Sequence, residues 1–355
     1  MKYVFSYMML MVYCVPLFAQ PGSDSLFQFL QANKNRSSLY LVQNDTVKAR
    51  LNENKLMPLA STVKIMIAIE FAKQAGSHIV NVNDKVALQE LDKYYIPNTD
   101  GGAHLQWLQY EKKSGNIQND SVPLVDVARG MMMFSSNANT EYLQDLLGMD
   151  NVKNNIQLLG LSKHTAIFPL VASLFMYQNP KKIKEEKIIK GIKKLSEEAY
   201  CRYIYDMHNA LKYDTILKAS FRPQDLSLAM QKEWSDRLPA STTKEYVHIA
   251  NVLNNRKYFS EEAYAVIAEL LETIMENPAN RQWLKHAGMK GGSTLFVLTK
   301  TLYATLKNGD RIELSYFFND LSPVENEMLQ NWMNSFELSV LSSPRFRDTL
   351  AATFK

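Results

Sequence analysis

Cysteine is nearly absent from this 355-residue chain: there are two, Cys14 and Cys201. Cys14 falls in the leading apolar stretch, so beyond that stretch only Cys201 remains and no internal disulfide can form. Stability then rests on a packed core. The six histidines, at 78, 104, 164, 208, 248 and 286, show no H-E-x-x-H or comparable spacing, so no metal site is expected. No Gly-rich phosphate loop follows a strand and no G-x-S-x-G elbow is present, which argues against nucleotide chemistry and an elbow-type hydrolase. No cofactor is called for. Lys and Arg total 40 against 36 Asp and Glu, a net charge of +4 spread along the chain. A nucleic-acid binder concentrates its charge instead, so no nucleic-acid partner is expected.

The first residues have the layout of a secretory signal: Lys2, an apolar stretch from Tyr3 to Leu17, then Phe18-Ala19-Gln20 with cleavage after Ala19. The run is short for a spanning helix of ~20 residues, so no stable membrane anchor is expected after cleavage. Tyr13 is too bulky for the small-residue context that lipid attachment at Cys14 needs. Residues 1–19 therefore read as a signal peptide that exports the protein to a periplasm or medium. Residues 20–355 read as one domain, and the whole chain, at 46% hydrophobic and 21% charged, is globular in composition.

Ser38–Gln43 and Thr46–Leu51 flank Asn44-Asp45, and 301–306 and 311–318 flank Asn308-Gly309; both pairs read as β-hairpins. From Pro58 an apolar run, Ile65-Met66-Ile67-Ala68-Ile69, reads as a helix buried on most sides, with Ser61 at its start. Residues 84–120 read as loop-rich, with Tyr94, Tyr95, Trp107 and Tyr110 placed to wall a cleft. Residues 122–148 read as helical, with Met131, Met132 and Met133 as core. The Lys- and Glu-dense stretch 181–198 reads as an exposed amphipathic helix, and 325–341 as a helix covering a sheet. The expected fold is α+β: an antiparallel sheet from N- and C-terminal strands packed with helices, beside a mostly helical lobe enlarged over about 150–240.

Ser61-Thr62-Val63-Lys64 sets a serine hydroxyl three residues from a lysine. A serine needs a base to become a nucleophile, and residues three apart share a helix face. The tetrad is weak alone, because Ser241-Thr242-Thr243-Lys244 also fits; that copy leads into an ordinary helix and reads as its cap. The first copy is followed in order by Ser135-Ser136-Asn137 and Lys290-Gly291-Gly292. Together they resemble the serine β-lactamase and penicillin-binding-protein superfamily, most closely its class A β-lactamase-like branch. The resemblance implies Ser61 as acylated nucleophile, Lys64 as proton acceptor, Ser135 as the hydroxyl that protonates the leaving nitrogen, and Lys290 as support for that network. It implies Asn137, Gly292 and Ser293 on the substrate, with the backbone N–H groups of Ser61 and Ser293 as oxyanion hole.

The chain departs from that pattern at several points. Residues 164–179 carry no acid where class A enzymes place the glutamate that activates the deacylating water. Glu70 is nine residues beyond Ser61 and so on the opposite helix face, which leaves Glu185 and Glu186 as substitutes only through a folded-back loop. Ser136 replaces the usual Asp, and Gly291 removes a hydroxyl that Ser293 or Thr294 could replace. The expectation is a serine acyl-hydrolase acting on a β-lactam or related small amide. The alternatives are a peptidoglycan D-alanyl-D-alanine peptidase and a binding protein that acylates without turnover.

Overall fold

The computed structural model describes residues 21–179 and 181–355; the expected signal at 1–19 lies outside the described residues. The elements that matter here, in chain order, are helix α1 (Pro21–Ala32), strands β1 (Ser37–Gln43) and β2 (Thr46–Leu51), and helices α2 (Lys64–Gly76), α3 (Ala103–Ser114), α4 (Asn137–Leu147), α5 (Glu197–Tyr213) and α6 (Thr243–Asn255). Strands β3 (Leu284–Ser293), β4 (Leu298–Leu306) and β5 (Arg311–Phe318) and helix α7 (Pro323–Ser342) follow. The chain divides into two compact units. Among the described residues, one is built from 21–62 with 241–258 and 271–355, the other from 63–179, 181–240 and 259–270.

The first unit is an antiparallel five-stranded sheet of order β2-β1-β5-β4-β3. Both expected hairpins form. Asn44 and Asp45 take φ of 50° and 60°, and Gly309 takes 95°, the positive values that tight hairpin turns demand. β5 is buried along nearly its whole length because it is covered on both faces. α6 packs on one side of β1, β4 and β5. On the other, Leu26 and Leu30 of α1 and Leu329, Phe336 and Val340 of α7 close an apolar core with Leu39, Leu314, Tyr316 and Phe318. α7 begins with a full capping box, Ser322 and Glu325 each satisfying the other's backbone N–H.

The second unit is mostly helical. α2 is its centre: Ile65 to Ala72 are all buried, as an all-round apolar run requires. Glu70 lies away from any nucleophile face, held by Lys73, Gln74 and Asn155 at 2.8–3.0 Å. Three sequence expectations change here. The stretch taken as loop over 84–120 contains α3, and Trp107 is fully buried, so it is core and lines no cleft. The helix expected over 122–148 is interrupted by a π-turn at Gly130–Phe134 and by Ser135 in the left-handed region. A Cβ on Gly130 would lie 2.3 Å from Asn139 Nδ2 and 2.7 Å from the Trp107 ring, so only glycine permits this crossing. The charged stretch 181–198 is two helices, Glu185–Lys193 and the start of α5, which Ser196 caps through Ala199 N–H. Among the described residues no helix is long and apolar enough to cross a membrane.

Candidate active site

Ser61 sits in a 3-10 turn, Ala60–Val63, that runs directly into α2. The helix thus starts at Lys64 and the serine occupies the tighter turn before it. Ala60 is held at φ 46°, an uncommon conformation for a residue with a side chain, immediately before Ser61. The turn is tied to the sheet of its own unit. Thr299 Oγ1 lies 2.8 Å from Leu59 O, 3.1 Å from Gly292 O and 2.8 Å from Thr62 Oγ1.

Gly292 explains how close this approach is. A Cβ there would lie 2.4 Å from Ser61 N, 2.7 Å from Thr62 N and 2.8 Å from Leu59 O, so β3 meets the Ser61 turn backbone to backbone. Lys290, two residues earlier on β3, is buried and its Nζ donates to Gly291 O at 3.0 Å. Ser293 ends the strand exposed, while the Thr294 hydroxyl accepts from Phe296 N–H and closes the following turn.

In the other unit, Lys64 is completely buried. Its Nζ donates to Ser135 O at 2.6 Å and to Asn137 Oδ1 at 2.9 Å. Burial pushes the amine down to about 7, against the upward pull of the Asp100 and Glu141 carboxylates. Near pH 7 about half the molecules then carry a neutral amine there, where an ordinary lysine would be neutral in fewer than about one molecule in a thousand. This is the property a general base needs.

The Ser135-Ser136-Asn137 segment has a division of labour that sequence did not reveal. Ser135 takes φ 64°, ψ 27°, which turns its carbonyl to Lys64. Ser136, at the position usually held by Asp, is the N-cap of α4: its hydroxyl accepts from Asn139 N–H and lies 3.0 Å from His104 Nδ1. Asp100 accepts from the N–H groups of Gly102, His104 and Asn137, pinning the loop before α3 to the start of α4. Asp100 and His104 were not singled out in the sequence; Asp-Gly-Gly before an amphipathic stretch was the only available sign.

Residues 164–179 contribute no acid. Instead Glu141, buried one turn beyond Asn137, accepts from Val171 N–H at 2.8 Å, so the segment's backbone is held by a carboxylate from α4. Glu185 and Glu186 lie in the first turn of a peripheral helix, and Glu186 is exposed. The second tetrad behaves as a cap: Thr242 accepts from Glu245 N–H and Ser241 donates to the Glu245 carboxylate at 2.5 Å. Among the described residues no group of three or more His, Cys, Asp or Glu is arranged to hold a metal ion.

Residues 23–255 match the model of a family described as the beta-lactamase enzyme family. A search of curated proteins finds no match. Among solved structures, the beta-lactamase from Sphaerobacter thermophilus DSM 20745 is similar at TM-score 0.55 and 16% identity, over 90% of this chain and 97% of that one. The TLA-3 extended-spectrum beta-lactamase is similar at TM-score 0.54 and 14% identity, over 91% and 100%. PBP-A is similar at TM-score 0.51 and 15% identity, over 90% and 97%. At these identities the likeness is one of fold, an antiparallel five-stranded sheet with helices.

Proposed function

The chain belongs to the beta-lactamase enzyme family, and on that premise we propose that it is an exported serine acyl-hydrolase whose nucleophile is Ser61. The observation that carries this reading is Lys64: a buried amine near neutrality, three residues from a serine in a continuous helical turn. Neutral Lys64 takes the Ser61 proton as Oγ bonds to the carbonyl carbon of a β-lactam or related amide. The carbon–nitrogen bond then breaks, and the Ser135 hydroxyl delivers a proton to the leaving nitrogen. Lys290 supports that proton network and attracts a substrate carboxylate, while Asn137 and the Gly292–Ser293 edge hold the substrate's amide. The N–H groups of Ser61 and Ser293 stabilise charge that appears only in the transition state. Export rests on the Lys2 to Ala19 pattern.

One observation favours a second reading, a peptidoglycan D-alanyl-D-alanine peptidase or a protein that acylates and holds. Residues 164–179 offer no carboxylate to activate a deacylating water, and the backbone there is occupied by Glu141. A PBP-A variant is described as an acyl-enzyme complex with penicillin G, so this fold accommodates a retained adduct in that protein. Intact-mass measurement after incubation with a fluorescent penicillin, on wild type and Ser61→Ala, tests both. A lasting adduct that Ser61→Ala abolishes supports slow deacylation, and rapid release of opened β-lactam supports a lactamase. The absence of any adduct with several acyl donors, peptide and β-lactam, refutes the acylation reading.

A further inference from the structure

The long middle segment contributes α5, and α5 places one histidine between two acids of α4. His208 is buried, with Nδ1 3.2 Å from Glu141 Oε2 and Nε2 2.9 Å from Asp145 Oδ1. Asp145 also accepts from Lys212 Nζ at 2.7 Å and from Tyr94 OH at 2.9 Å. Glu141, with its other oxygen on Val171 N–H, lies four residues after Asn137 and so on the same face of α4. Asn137 is the side chain that accepts from Lys64. A helical turn therefore carries one end of the Lys64 contact set and, one step on, an acid whose counter-cation comes from α5.

We propose that Glu141 and His208 are positioning residues that set the electrostatic field at Lys64: Glu141 supplies negative charge toward the amine, and His208 decides how much of it is felt. The groups that act on this pair are known. Asp100, from the loop before α3, adds to the negative field at Lys64. Lys218 faces Glu141 electrostatically, and Asp145, Lys212 and Tyr94 surround His208. Burial opposes charge on His208, but the hydrogen bonds to Asp145 and Glu141 outweigh it and hold the imidazolium up to about 9. At neutral pH His208 therefore carries positive charge beside Glu141 and opposes the pull of Glu141 on Lys64. Loss of either partner unbalances it, in opposite directions. This inference gives the middle segment a role in the acylation chemistry and rests on the proposed function for its meaning, though not for its test.

The test is a pH titration of the Lys64 side chain by NMR in lysine-labelled full-length protein, the resonance assigned by its loss in Lys64→Ala. Glu141→Gln keeps the acceptor for Val171 N–H and removes the charge, so the Lys64 midpoint is expected below the wild-type one. His208→Asn leaves Glu141 unbalanced, so the midpoint is expected above it. A general loosening of the helix would move both variants the same way, and that result, or no movement in either, overturns the proposal. If these shifts appear while Ser61 takes no acyl group, the proposed function fails and the field device stands.

Discussion

Replacing Gly292 by alanine adds one methyl group at the point where β3 meets the turn that carries Ser61. The φ of Gly292 is outside the left-handed region, so the change asks nothing new of the local backbone, and its effect is steric. The added carbon would lie 2.4 Å from Ser61 N, against about 3.4 Å for ordinary contact, and within 2.8 Å of Thr62 N and Leu59 O. None of these atoms is the end of a flexible side chain. Strand and turn must therefore separate by about 1 Å, which stretches the links through Thr299. Overpacking of this kind costs roughly 1–3 kcal/mol. A displacement of about 1 Å at a nucleophile reduces rate by about a hundredfold. Gly291→Ala is the control, since its Cβ would meet Lys300 Cδ and Thr299 O at 3.2 Å, a clash relieved by a few tenths of an ångström. Denaturant melts and the second-order rate of penicillin acylation should both fall for Gly292→Ala and fall much less for Gly291→Ala. A Gly292→Ala protein that melts and acylates like wild type would refute the close-approach argument.

Lys64→Ala should slow acylation by about two or more powers of ten, as loss of a general base does, while Lys244→Ala should leave it unchanged; equal losses, measured by intact mass, would refute Lys64 as the base. The acylation rate of wild type should rise through about pH 7 as Lys64 loses its proton, and a rate flat from pH 5 to 9 would rule the amine out as the base. His208 is held up to about 9, above its unfolded value near 6.5, so its stabilising contribution is complete below that value and lost as pH rises through 9. The stability difference between wild type and His208→Asn, read from urea melts, should shrink between those limits. Glu313 on β5 is pushed up to about 7 by burial, against a hydrogen bond from Asn254, and its Oε2 has no partner. The unfolded chain releases this proton near 4.5 and the folded one near 7, so the carboxyl destabilises increasingly across that window, by about 3 kcal/mol at its end. Glu313→Gln should therefore gain on wild type as pH rises from 4.5 to 7 and hold that gain above it.

Much of the sheet, and the contact of Lys64 with the Ser135–Asn137 segment at the candidate site, were legible because they are written in short-range patterns. Asn44-Asp45 and Asn308-Gly309 specify turns whose φ values few other residues adopt, and the β-rich runs beside them pair across those turns. The all-round apolar run after Lys64 could only be a buried helix. The misreadings have equally local causes. Gly101-Gly102 and the polar residues after them read as loop, yet Asp100 bonds to the first N–H groups there and starts α3. The apolar period through Met131 continues across residue 135, and only the tertiary contact of Gly130 with Trp107 and Asn139 breaks the helix. Nothing local marks Glu141. Its helix face is readable from Asn137, but its meaning comes from His208, 67 residues away, and from Val171 on a segment whose composition holds no charge. A sequence motif records which groups do chemistry at a site. The charges that shift their protonation, Asp100 and Glu141 at Lys64, are recorded only by packing.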